Sequence, residues 1–150
     1  MAAHLSDLVK TVRVVNSTAA GTTDINSTGV DMTGFDAVRF VAVFGVVTNG
    51  THKIKAQQSS DDGSSDTYAY LAGSLTDTGV VAADDEDMLI TDLIRPRERY
   101  VRCVVDRDAS NNAEVDAVIA ELYRTRDVPV TQDSTVKEVV KTVHNGEGTA

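Results

Sequence analysis

Tryptophan is absent from this chain, and aromatic side chains are limited to three Phe and four Tyr. Any core must therefore be built from Val, Ile, Leu and Ala, a mixture that suits strands better than helices. Cysteine occurs once, which excludes an intrachain disulfide, and Cys103 lies in the alternation Val101, Cys103, Val105, where it reads as a small core residue. No run approaches the roughly 20 apolar residues of a membrane helix, and residues 1–8 lack the basic start and apolar stretch of a signal peptide. The expectation is a protein made and kept soluble in a cytosol, without a membrane partner. Basic residues are also scarce, 14 against 23 acidic ones, and the net charge of −9 argues against a nucleic-acid binder.

The charge that is present is segregated. Residues 61–92 hold nine acids and no Lys or Arg, whereas residues 95–126 place seven arginines among six acids. An acidic stretch followed by a guanidinium-rich one suggests protein partners or subunit contacts. At 150 residues the chain is long enough for a single core. It divides into a β-domain over 1–126 and a tail over 127–150.

The most hydrophobic stretch is Ala37 to Val47, rich in Val and Phe with Arg39 its one charge, the pattern of a strand covered on both faces. It runs into Thr48-Asn49-Gly50-Thr51, a tight-turn signal, and then into the alternation His52, Ile54, Ala56 against Lys53, Lys55, Gln57. The expectation is a central β-hairpin. Further strands are predicted near 8–15, 23–30, 67–71, 88–94, 99–106 and 114–124, with turn-forming runs between them. About eight antiparallel strands at short spacing match a β-sandwich of the jelly-roll kind. In the tail, Val136, Val139, Val140 and Val143 fall on one face of a helix, and Thr135 with Glu138 forms a capping box. This predicts a short helix over 135–144 that docks on something, since so short a helix is marginal alone.

The chemistry of an enzyme is missing. His4, His52 and His144 have no zinc-site spacing, and the chain has neither a phosphate loop nor a nucleophile elbow. The expectation is a non-enzyme with no catalytic residues, no metal and no cofactor. The acidic runs 61–66 and 84–87 concentrate oxygen ligands but lack the spacing of a calcium loop, so they read as solvated turns. Tyr68 and Tyr70 with the Asp-rich loops keep open an alternative, a carbohydrate- or receptor-binding module of a fibre or tail. The most distinctive string is Arg95-Pro96-Arg97-Glu98-Arg99-Tyr100-Val101-Arg102. Extended, it puts Arg95, Arg97 and Arg99 on one side and Tyr100 and Arg102 on the other. It reads either as a charge-protected edge strand or as a docking surface.

The Asn-Gly-Thr-His turn, Gln57-Gln58-Ser59-Ser60-Asp61-Asp62-Gly63, and Ile94 through Arg102 resemble small head decoration, or cement, proteins of tailed double-stranded DNA bacteriophages over roughly residues 9–132. The resemblance implies a jelly-roll-like sandwich that assembles as a homo-oligomer, dimer or trimer, on the outer surface of the virion head. Its implied partners are the major capsid protein and further copies of itself.

Overall fold

The computed structural model describes residues 3–107 and 112–142. Within them the β-branched alternation becomes strands almost throughout. A single helical turn, α1 (Leu5–Leu8), leads into β1 (Lys10–Val15), β2 (Thr18–Gly21), β3 (Ile25–Asn26), β4 (Val30–Asp31), β5 (Phe35–Val47), β6 (Lys53–Ser59), β7 (Ala69–Tyr70), β8 (Met88–Ile94), β9 (Tyr100–Asp106) and β10 (Ala113–Thr125). One sheet has the order β1-β10-β5-β8 with β2 also on β10; the other has β3-β9-β6-β7 with β4 also on β9. All pairs are antiparallel. With β3 and β4 counted as one broken strand and β2 as an accessory, eight strands remain. The chain crosses between the sheets at nearly every connection, which is the winding of a jelly roll.

The sheets face each other across a core of Val38, Phe40, Ala42 and Phe44 from β5, Val115, Val118, Ala120 and Leu122 from β10, and Ile54, Ala56, Val101, Cys103 and Val105 from the second sheet. All are essentially inaccessible to water. Burial pushes the Cys103 thiol up to about 12, so it is a packed apolar group at neutral pH.

The central hairpin does not form. β5 and β6 are consecutive in sequence, yet both edges of β5 are occupied, by β10 and β8, and the chain after Val47 crosses to the opposite sheet. Of Asn49 and Gly50, only Gly50 has the positive φ (82°) that a two-residue hairpin turn requires at both positions. The turn is instead held by the Asn49 carbonyl, 2.9 Å from Nε2 of the buried His52, and by the Asn49 side chain, which accepts from the Asn112 N–H at 3.2 Å.

The tail also departs from expectation. Residues 136–142 are not helical, and Val143 and His144 lie outside the described residues. Thr135, the expected cap, is used elsewhere: its Oγ1 accepts from the Arg13 N–H at 3.0 Å and donates to Asp133. Gln132 accepts from the Thr11 N–H at 2.9 Å and donates to the Ser6 and Val9 carbonyls at 2.8 and 2.7 Å. Val130 N–H bonds Asp7 O, and Lys141 pairs with the Asp7 carboxylate. Valine's weak helix propensity loses to side chains that satisfy the outward N–H groups of β1.

Arg107 is nearly fully buried, and no carboxylate among the described residues hydrogen-bonds it. Its guanidinium donates to Thr23 O at 2.6 Å and to Ala19 O and Ala113 O at 3.0 Å, tying β2, the loop after it and β10 together. Replacing it with alanine strands three carbonyls, and a loss of about 2–4 kcal/mol is expected in urea unfolding. Truncation after Arg126 removes the Gln132 and Thr135 caps from β1 and should lower the urea midpoint by an amount equivalent to about 1–3 kcal/mol. An unchanged midpoint would show that water replaces them without cost.

Candidate interaction surface

The string Arg95 to Arg102 is the connection from β8 to β9, and it does not continue as an edge strand. The chain turns at Arg95, whose φ is 55°, with its N–H donating to Asp36 O at 2.7 Å. The Arg97 N–H donates to Gln58 Oε1 at 3.1 Å, and the Met32 N–H donates to Arg99 O at 2.8 Å. Backbone contacts to β5, β6 and the turn after β4 thus fix residues 95–99 as a braced loop. Strand geometry resumes only at Tyr100, so the predicted division into two side-chain faces is not what positions these arginines.

Their chemistry separates them instead. Arg99 forks onto Asp31, Nε to Oδ1 at 3.0 Å and Nη2 to Oδ2 at 2.6 Å, and lies 5.1 Å from the Tyr100 ring centre. Arg102 donates to Gln57 Oε1 at 2.7 Å and stacks 4.1 Å over Tyr68, whose hydroxyl donates to Asp62. These two guanidinium groups are committed within the protein. Arg95 and Arg97 are exposed and have no ion-pair partner among the described residues. The loop they share separates two open grooves, one lined by Met32, Phe35 and Asp36 and the other by Gln58, Tyr70, Leu71 and Leu93.

The remaining candidates fall elsewhere. Val136 is half-buried, while Val139 and Val140 are exposed, so the three do not form one docked face. The acidic runs are locked into turns. Asp61 accepts the N–H groups of Ser64, Ser65 and Asp66 at 3.0, 2.7 and 3.0 Å, which holds its carboxyl below the usual range, with the bond to Asp66 the largest contributor. Asp66 accepts the Ser60 N–H, and Asp85 accepts the Val47 N–H. Among the described residues no cluster of three or more His, Cys, Asp or Glu side chains is arranged to hold a cation. Lys55 lies 4.6 Å over Tyr70, so one face of each of Tyr68 and Tyr70 carries a cation.

One surface feature escaped the sequence reading. Along β8, Met88, Ile90 and Ile94 project outward and are 59, 48 and 57% exposed, while Leu89, Thr91 and Leu93 turn inward. Both sets are largely apolar, so alternation could not separate them. The outer face continues onto half-buried Val41 and Val43 of β5, which lie opposite Ile90 and Met88.

Fold and surface together define the class, an antiparallel jelly-roll β-sandwich. The chain is similar to the crystal structure of the PBSX exported protein XepA, with a TM-score of 0.53 and 14% identity over 95% of this chain. It spans about half (46%) of the length of that chain. At this identity the likeness is one of fold. No protein-family model matches the sequence, and no curated protein matches it.

The Arg99–Asp31 fork makes a pH prediction. The hydrogen bond from Arg99 holds the Asp31 carboxyl well below the ordinary carboxylate range. A depressed folded-state pKa contributes stability above the unfolded value of about 4, and that contribution is lost as pH falls below it. Both side chains are more than a third exposed, so screening limits the effect. Asp31→Asn is expected to cost up to about 1 kcal/mol at pH 7, with the difference from the parent constant above about pH 5 and shrinking progressively as pH falls below about 4 in urea titrations.

Proposed function

We propose that this protein is a structural virion component of a tailed double-stranded DNA phage. It acts as a head decoration, or cement, protein that binds the outer surface of the icosahedral capsid and stabilises contacts between major capsid subunits. The observation that carries the reading is the braced loop 95–99, which presents Arg95 and Arg97 unpaired beside two open grooves. Arginine on a preorganised loop is an effective anchor, because little freedom is lost when it meets a carboxylate. The jelly roll is shared with a phage-related protein, which supports the phage setting. A structural role also suits the fate of the reactive residue types: His52 and Cys103 are buried, and Asp61, Asp66 and Asp85 bond backbone N–H groups. Each exposed contact is worth about 1 kcal/mol or less, so stabilisation would arise from many copies acting together.

The test is co-sedimentation of purified protein with expanded heads assembled without it. Saturable binding that weakens with salt is expected, and Arg97→Glu should reduce the affinity about fivefold or more while the melting temperature stays within a few degrees. Absence of binding at every salt concentration would overturn the proposal.

A further inference from the structure

Three of the four lateral sheet edges are closed. The outward N–H groups of β1 are met by Gln132 and Thr135. Beyond the two-residue β7, the edge of β6 is met by the 71–76 segment: Ala56 N–H donates to Ser74 Oγ at 2.9 Å, Ile54 N–H to Thr76 Oγ1 at 3.1 Å, and Leu71 N–H to Ala56 O at 3.0 Å. Between β3 and β4, Ser27 fills the gap along β9 with bonds to the Cys103 N–H and carbonyl, both 2.9 Å. The fourth edge, β8, is treated differently.

The bonds Arg95 N–H to Asp36 O and Phe44 N–H to Asp87 O fix the phase of the β5–β8 ladder. Leu89, Thr91 and Leu93 bond β5, so the backbone polar groups of Met88, Ile90, Asp92 and Ile94 point away from it. No described residue bonds them. A seven-residue edge that is open, apolar on its outer face except at Asp92, and free of Lys and Pro lacks most of the usual devices against strand pairing.

We propose that β8 is a self-association edge, which pairs antiparallel with β8 of a second copy about a two-fold axis at Thr91 and joins the two sheets into one. Two copies of this strand overlap fully only when centred on Thr91. All four outward-pointing residues then meet outward-pointing partners: Met88 with Ile94 of the second copy, and Ile90 with Asp92 of the second copy, each pair exchanging two backbone bonds. A shift that centres the axis on Asp92 would set two carboxylates opposite each other and is disfavoured. Charge favours the same arrangement. Residues 84–87 at one end of β8 are all acidic, whereas Arg95 follows at the other, so antiparallel pairing brings Asp87 opposite Arg95 of the second copy. Met88, Ile90 and Ile94 each gain a cross-strand neighbour in the same step, which covers part of their exposed surface. This inference concerns the isolated protein and stands whether or not it binds a capsid.

The experiment is sedimentation equilibrium on the full chain across roughly 1–100 µM, with Ile90→Glu and Ile90→Lys as variants. The position is half-exposed, so both should fold, and matching circular dichroism melts check this. The parent is expected to be a dimer. Ile90→Glu places a carboxylate opposite Asp92 of the second copy, twice by symmetry, and should weaken association about tenfold or more. Ile90→Lys places an ammonium there and should keep association within a few-fold of the parent. A monomeric parent across the range overturns the inference, as does undiminished association of Ile90→Glu. Equal loss in both variants overturns the two-fold register. Pairing of head-binding protein through another surface would leave both variants dimeric, which separates failure here from failure of the capsid reading.

Discussion

The antiparallel pairing of β5 with β10, two strands of thirteen residues each, is the constraint on which the rest of the molecule depends. It joins residues nearly eighty positions apart, so its loop-closure cost is large, and it supplies the largest group of buried core side chains. Once the two strands are side by side, β5 has one edge left for β8 and β10 has one left for β1 and β2. The next strand after Val47, β6, is therefore forced to the opposite sheet. The Arg39–Glu121 ion pair sits across this seam on the outer face, with Nε to Oε2 at 2.6 Å, where a mismatch of register would place like or apolar groups together.

How the sheets end follows from how they are centred. Exposed ladder groups need partners, and this chain supplies them mainly with short hydroxyl and amide side chains: Ser27, Ser74, Thr76, Gln132 and Thr135. Each covers one or two backbone groups without adding a strand. That economy is why the loops are rich in Ser and Thr, and it explains why a segment such as 71–76 is fixed in place although it has no regular structure. β8 is the one long edge left outside this scheme, and an open edge is an interaction site by its own chemistry, since an unpaired row of N–H and C=O groups matches another strand.

Much of the fold was legible because β-branched residues at alternating positions have few alternatives. The class, the approximate strand positions, the burial of Cys103 and the interruption at Arg95-Pro96 all followed from local pattern. The misreadings were of pairing, which is non-local. Asn49-Gly50 is a hairpin signal only when the flanking strands are free to bond each other, and β5 was already taken on both sides. The valine spacing at 136, 139 and 140 described a helical face, but Gln132 and Thr135 had stronger uses as caps for β1. At the candidate surface the string 95–102 was identified, yet its division into committed and open arginines depended on Asp31, Gln57 and Tyr68, none of them near in sequence. The outer face of β8 left no readable signal, because Met88, Ile90 and Ile94 are interleaved with Leu89 and Leu93 that are equally apolar.

The segregation of charge along the chain acquires a meaning from these contacts. Several carboxylates of the acidic segment do internal structural work: Asp61 and Asp66 tie a turn, Asp85 holds the end of β5, and Asp62 receives Tyr68. They contribute negative field while their oxygens are partly engaged. Among the arginines of residues 95–107 the division is sharper, with Arg99, Arg102 and Arg107 consumed internally and Arg95 and Arg97 left open. On a chain of net charge −9, the braced loop sets two open guanidinium groups beside the open strand edge. The excess of acid over the rest of the surface opposes indiscriminate contact, so cationic groups on a fixed loop are the natural point of approach for an acidic surface.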